Sequence, residues 1–208
     1  MFQYSGPGSQ QVSNSWDGGN GLWFNHLVQK GYIVVCVDGR GTGYRGTKYK
    51  KVTYKNLGKY EIEDQIAAAK WLGNQSYIDK SRIGIFGWSY GGYMASLAMT
   101  KGADVFKAGI AVAPVTNWRY YDSIYTERFL QTPQENPEGY DQNSPTTFAK
   151  LLKGKFLLIH GTADDNVHFQ NSMEFSEALI QSNKQFEFMA YPDKNHGIYG
   201  GQTRPQLY

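Results

Sequence analysis

Cysteine is almost absent from this chain: Cys36 is the one example among 208 residues, and it lies inside an apolar run. An intrachain disulfide is therefore excluded, and Cys36 is expected to pack as a small hydrophobe. Long apolar runs are missing too. None approaches the ~18 residues of a membrane-spanning helix, and no charged segment followed by an apolar stretch marks the N-terminus. No membrane contact is expected of this chain. Nor does one sign of charge dominate, since 21 Lys and Arg against 18 Asp and Glu leave a net charge of +3. One block departs from that balance: Arg40, Arg45, Lys48, Lys50, Lys51, Lys55 and Lys59 occur with no acidic residue between Asp38 and Glu61, interleaved with Tyr44, Tyr49 and Tyr54. Such a pattern can track a phosphate backbone while bases stack on the rings. A charge run is more commonly a solvated face, and the chain lacks the strongly basic character of a nucleic-acid binder. No nucleic-acid partner is expected.

What is present is the material of one compact unit, with 40% hydrophobic and 15% aromatic residues over a single domain's length. Short apolar runs rich in β-branched and aromatic residues recur at 32–37, 82–86, 108–112, 156–159 and 186–191. They read as buried parallel strands. Between them, residues 61–72 place Ile62, Ile66 and Ala69 at helical spacing, and residues 171–182 do the same with Phe175, Ala178 and Leu179. The alternation predicts a doubly wound, mostly parallel α/β fold. Residues 117–150, rich in Tyr, Pro, Asn and Gln, are too long for an ordinary connection and read as a functional excursion. Met1-Phe2-Gln3-Tyr4 reads as a strand already under way, and the chain stops soon after His196 without a closing helix. Both ends therefore read as cut from a longer protein.

The most informative segment is Gly87-Trp88-Ser89-Tyr90-Gly91, placed between a predicted strand and a helix of small residues. It matches the G-x-S-x-G nucleophile elbow of the α/β-hydrolase fold, in which a sharp turn projects the serine hydroxyl above the strand end and the flanking glycines avoid a collision. A serine hydroxyl attacks poorly near neutral pH, so a histidine must accept its proton and a carboxylate must fix that histidine's tautomer. In this fold the order along the chain is Ser, acid, His. Only His168 and His196 follow a suitable acid, and His196 is favoured because it succeeds a separate strand, whereas His168 shares the acid's own loop. His26 and His160 read as structural. For the acid, Asp164 and Asp165 both leave the end of the strand at 156–159, and spacing alone does not choose between them. His160, Asp164 and His168 recur every four residues, a metal-ligand spacing if the segment were helical, but the preceding strand and Gly161 make it a strand-to-loop transition. No metal site is expected.

A dinucleotide fingerprint competes for attention, because Gly41-Thr42-Gly43-Tyr44-Arg45-Gly46 follows the first apolar run and matches G-x-G-x-x-G. In that fold the third glycine opens a helix, whereas residues 47–54 are basic and β-branched. A P-loop fails as well, since Gly46 is followed by Thr-Lys and not Lys-Thr.

Taken together, Tyr4-Ser5-Gly6-Pro7-Gly8-Ser9-Gln10, Asp38-Gly39-Arg40-Gly41-Thr42-Gly43-Tyr44, Gly87-Trp88-Ser89-Tyr90-Gly91-Gly92, Trp118-Arg119-Tyr120-Tyr121-Asp122-Ser123 and residues 160–170 resemble the dipeptidyl peptidase IV branch of the prolyl oligopeptidase family. The likeness spans nearly the whole chain. It implies a serine peptidase domain that releases N-terminal dipeptides ending in Pro or Ala through an acyl-enzyme on Ser89, with no cofactor. It selects Asp164 over Asp165 as the acid, and it makes the Tyr4 hydroxyl the partner of the Tyr90 backbone N–H in stabilising the oxyanion. That role suits a chain lacking an HGGG-type loop. The resemblance also places Tyr90, Val115, Trp118, Tyr121, Tyr125 and Val167 around a small apolar pocket, with Asn166 hydrogen-bonding the substrate carbonyl. Residues 1–208 would form the catalytic domain, while the glutamates that grip the substrate's amino group would belong to an N-terminal β-propeller of the same polypeptide. A peptide substrate, a homodimer and a bacterial periplasmic or secreted parent fit the same likeness. An esterase using the same machinery, or an interaction domain that keeps the fold without the chemistry, would share these motifs in part.

Overall fold

The computed structural model describes residues 1–16 and 19–208. Five strands, β1 (Phe2–Gln3), β2 (Gly84–Trp88), β3 (Ala108–Val112), β4 (Lys155–Gly161) and β5 (Glu187–Tyr191), form one parallel sheet in the order β1-β2-β3-β4-β5. The helices are α1 (Gly19–Gln29), α2 (Thr47–Lys51), α3 (Lys59–Leu72), α4 (Tyr90–Thr100), α5 (Ser123–Leu130), α6 (Pro137–Asp141), α7 (Gln170–Gln181) and α8 (Thr203–Leu207). Cys36 bridges to the outer side of β1, through Phe2. After β1 the chain therefore steps outward to Cys36 and then returns across β1 to lay down β2. That reversal is a topological switch point, and in open parallel sheets the crevice beyond the strand ends at such a point is where ligands bind.

The alternation of strand side chains sets two cores. Ile85, Ala111, Phe156 and Leu158 face a large cluster with Ile62 and Ala69 of α3, Met94 and Leu97 of α4, and Phe175 and Leu179 of α7. Val112 and Ile159 face the opposite way, with Phe86, Trp88, Leu157, Tyr191 and Leu207. Phe24 of α1 packs on Phe2 on this second side, ring centroids 5.1 Å apart. Every residue of α4 is buried, as a helix apolar on all sides requires. Its polar side chains are satisfied locally: Ser96 donates to the Gly92 carbonyl at 2.9 Å and Thr100 to that of Ser96 at 2.9 Å.

Three sequence expectations need correction. Residues 32–37 do not form a strand; toward β1 the segment is joined by the Cys36 bridge and a bond from the Phe2 amide to the Val35 carbonyl. A strand needs a partner along its length, and β1 offers two residues before Ser5 turns with φ 67. The excursion at 117–150 is folded into α5, α6 and 3-10 turns at Trp118–Tyr120 and Pro145–Leu151. Asn117, Asp122 and Asn136 start the turn at Trp118–Tyr120, α5 and α6 by accepting backbone N–H bonds from Arg119, Tyr125 and Gly139. Finally, a short closing helix does follow His196: α8, held by Tyr191 donating to the Gln206 side chain.

Candidate active site

Ser89 stands between β2 and α4 with φ 61 and ψ −119, a left-handed conformation that a non-glycine residue adopts only when its surroundings enforce it. The enforcement is visible on both sides. The Ser89 amide donates to the Val112 carbonyl at 2.8 Å, and its carbonyl accepts from the Tyr93 amide at 2.9 Å. A Cβ on Gly91 would collide with the Gln3 carbonyl oxygen, one on Gly87 would reach it at 2.7 Å, and one on Gly92 would come within 2.7 Å of the Val112 carbonyl oxygen. These glycines let β1, β2, β3 and α4 approach closely enough for the turn to exist. Tyr90 opens α4, so its N–H is among the four that a helix leaves without an intrahelical acceptor.

Asp164 lies beyond the end of β4 and His196 beyond β5. The structure brings them together: Asp164 Oδ2 lies 2.8 Å from His196 Nδ1. The other carboxylate oxygen accepts from the backbone amides of Asn166 at 3.0 Å and Val167 at 2.9 Å. Burial pushes the Asp164 carboxyl upward, but hydrogen bonds from His160, His196 and the Asn166 amide more than offset it and hold it below the usual carboxylate range. Asp165 is exposed. His168 is likewise exposed, and His196 is tied to the serine turn through Trp88, whose Nε1 donates to the His196 carbonyl at 3.0 Å.

An aromatic group lies beside this assembly. Trp118 packs on Tyr90, Tyr121 and Tyr125 with centroids 5.5, 5.8 and 5.9 Å away, and Tyr121 meets Tyr125 edge-on at 5.3 Å. Val115 and Val167 belong to the same cluster. The Tyr121 hydroxyl donates to Asn166 Oδ1 at 2.7 Å, linking the excursion to the Asp164 loop. Tyr4, just past β1, sits 6.2 Å from the Tyr90 ring, and burial raises its phenol above the ordinary value.

Three participants were not anticipated from sequence. His160, read as structural, touches the candidate acid: its Nε2 lies 3.1 Å from Asp164 Oδ2. Arg204 of α8 donates to the Gly197 carbonyl at 2.7 Å and lies over the Trp88 ring at 4.9 Å, so the closing helix helps fix the His196 loop. Glu61, fully buried on α3, accepts from the Tyr90 hydroxyl at 2.7 Å while its Oε2 has no hydrogen-bond partner. A carboxylate inside an amphipathic helix pattern carries no sequence signal of such a role. The glycine-rich loop, in contrast, spends its amides within the chain: Gly41, Thr42 and Gly43 donate to Tyr49, Gly39 and Ser9 carbonyls. Those three amides are not free to cradle a phosphate. Among the described residues no His, Cys, Asp and Glu group is arranged to hold a metal, and no helix is long and apolar enough to cross a membrane.

Comparison with known proteins agrees with this geometry. Residues 22–208 match the model of the prolyl oligopeptidase family. The chain is similar to dipeptidyl peptidase 4 of Porphyromonas gingivalis, whose crystal structure superposes with a TM-score of 0.95 at 55% identity, covering 100% of this chain and 29% of that one. It is 46% identical to prolyl endopeptidase FAP of Mus musculus over 99% of this chain and 27% of that protein. It is 50% identical to "Probable dipeptidyl-aminopeptidase B" of Neurospora crassa over 95% of this chain and 21% of that protein. The chain thus spans about a quarter of the length of these relatives. With an α/β sheet, a strained serine turn and relatives along nearly its whole length, this chain belongs to the prolyl oligopeptidase family, in its dipeptidyl peptidase IV branch.

Proposed function

We propose that residues 1–208 form the catalytic domain of a serine exopeptidase that removes N-terminal dipeptides ending in Pro or Ala. The observation that carries this reading is the 2.8 Å contact of Asp164 with His196 Nδ1, made at the strand ends that also present Ser89 in its strained turn. With Nδ1 donating to Asp164, the Nε2 of a neutral His196 carries a lone pair and serves as general base for Ser89. Ser89 attacks the scissile carbonyl, His196 takes its proton and returns it to the leaving amine, and water then resolves the acyl-enzyme by the same relay. The Tyr90 amide and the Tyr4 hydroxyl stabilise the oxyanion. The pocket formed by Tyr90, Val115, Trp118, Tyr121, Tyr125 and Val167 takes the Pro ring or Ala methyl. Tyr121 occupies the acceptor oxygen of Asn166, so the amide's N–H donors are what Asn166 offers the substrate carbonyl.

The relatives' greater length supports a parent polypeptide with further domains. In this reading an N-terminal β-propeller supplies the carboxylates that bind the substrate's amino group, and the parent forms a homodimer. The direct test is labelling with a fluorophosphonate probe followed by mass mapping. Ser89 is expected to carry the label and Ser89→Ala to abolish it; labelling elsewhere, or persisting in the variant, would overturn the assignment. For the parent, release of Gly-Pro or Ala-Pro from an anilide, lost when the substrate amine is acylated, tests the specificity.

A further inference from the structure

His160 is completely buried, and both of its ring nitrogens are engaged. Nε2 faces two acceptors, Asp164 Oδ2 at 3.1 Å and the Val167 carbonyl at 2.8 Å. An imidazole nitrogen between two acceptors must carry hydrogen. Nδ1 lies 2.6 Å from the Ser172 hydroxyl, which donates to it when the ring is neutral. The Phe169 ring closes the remaining side at 5.6 Å. One side chain at the end of β4 thus ties together the Asp164 loop, through Val167, and the first turn of α7, through Ser172. Asp164 Oδ2 is shared between two imidazoles, those of His160 and His196.

Resting on the peptidase reading above, we propose that His160 is a positioning residue: as the neutral Nε2–H tautomer it fixes the Asp164 carboxylate in the orientation that serves His196. The argument is one of geometry and charge. Asp164 Oδ1 is held by two backbone amides, but without His160 its Oδ2 would have one fixed partner, His196, and the loop carrying it would lose the Val167 bond. The ring must also stay neutral. When His196 takes the proton of Ser89, a charged His160 would set two cations on one carboxylate oxygen whose side chain is fully buried. The titratable groups around Asp164 are His160 of β4, His196 of the loop after β5, and Tyr121 after the turn at Trp118–Tyr120, whose phenol is raised first by burial and then by neighbouring charges including that of Asp164. Sharing Oδ2 also makes the carboxylate a weaker acceptor toward His196.

Two substitutions separate the two nitrogens. In His160→Gln the amide nitrogen reaches roughly where Nε2 was and keeps a donor toward Asp164. In His160→Asn the polar atoms stop near Nδ1 and the donor is lost. The readout is the second-order rate of fluorophosphonate labelling at Ser89 between pH 5 and 9, with thermal unfolding recorded alongside. His160→Gln is expected within about 5-fold of the parent sequence. His160→Asn should lose about 10-fold to 100-fold, the equivalent of one hydrogen bond to a charged group, and its acid limb should move to higher pH, because a more basic Asp164 favours the imidazolium of His196. Equal losses in both variants that follow their melting temperatures, with an unmoved limb, would show His160 to be structural only. A third readout needs no variant: nitrogen-15 shifts in the unsubstituted chain at neutral pH should show His160 neutral with hydrogen on Nε2, and an Nδ1–H or cationic ring would overturn the proposal even if His160→Asn failed to fold. Absence of Ser89 labelling in the unsubstituted chain would instead refute the peptidase reading.

Discussion

Replacing Asp164 by Asn changes one atom, and the structure states what that atom meets. The amide oxygen can serve the backbone donors of Asn166 and Val167, at 3.0 and 2.9 Å. Its NH2 then faces His196 Nδ1 at 2.8 Å and His160 Nε2 at 3.1 Å, where the carboxylate had accepted from both. His196 can meet the new donor only by moving its hydrogen to Nε2, and that is the tautomer unable to take a proton from Ser89. Two hydrogen bonds to a charge are lost, each worth about 1.5–3 kcal/mol. If both losses bear on the transition state, about 3–6 kcal/mol corresponds to roughly 150-fold to 25,000-fold in rate. Labelling by a fluorophosphonate, or turnover of an activated ester, measures it. Asp165→Asn is the control, since that residue is exposed, and it should change the rate by less than about 2-fold, as surface substitutions ordinarily do. Stability supplies a second check with a definite sign. The folded-state pKa of Asp164 is depressed, so its contribution is present above the unfolded value of about 3.9 and is lost as pH falls below it. The melting difference between parent and Asp164→Asn should therefore shrink as the pH is lowered below about 4. A rate within 10-fold of the parent, or equal effects at Asp164 and Asp165, would refute the reasoning.

Other perturbations test other parts of the site. Gly91→Ala should destabilise by about 1–3 kcal/mol or more by overpacking, because its Cβ meets the Gln3 carbonyl oxygen, and urea denaturation should show it together with loss of labelling; an unchanged midpoint would deny the close approach. Tyr4→Phe should fold normally and, in the parent enzyme, lower turnover by roughly 100-fold to 1000-fold with little change in substrate affinity; weaker affinity at unchanged turnover would make Tyr4 a pocket residue. Glu61, pushed up to about 7 mainly by burial, against the lowering effect of its Tyr90 bond, has a raised folded pKa. It thus favours folding below the unfolded value near 4.5 and loses that contribution as pH rises through about 7. Glu61→Gln should therefore melt with a weaker pH dependence between 5 and 8 and gain on the parent sequence at the alkaline end; parallel profiles would show that the carboxyl does not titrate in that range.

Local pattern was enough for those parts of the fold that neighbouring residues dictate. Alternating apolar runs placed the strands later found at Ala108–Val112 and Lys155–Gly161, and the helical spacing of Ile62, Ile66 and Ala69 placed α3. The spacing of glycines about Ser89 required a sharp strand-to-helix turn, because steric limits at a turn are written in neighbouring residues. Pattern failed where partners decide. Residues 32–37 are apolar enough for a strand, but Tyr32 and Ile33 are 64% and 53% exposed because β1 is too short to pair with them. Residues 117–150 looked irregular because α5 and α6 are started by Asp and Asn caps, and the 3-10 turn at Pro145–Leu151 is held by packing against α4 and α7 rather than by periodicity. At the site, the residues Asp164 and Asp165 are equivalent in sequence, and only folding turns one inward to His196 and leaves the other in solvent. His160 and Glu61 were beyond reach for the same reason. Their importance lies in what stands opposite them, Asp164 Oδ2 and the Tyr90 hydroxyl, and a residue separated by 29 positions from its partner, as Glu61 is from Tyr90, meets it only when the sheet and its helices close around both.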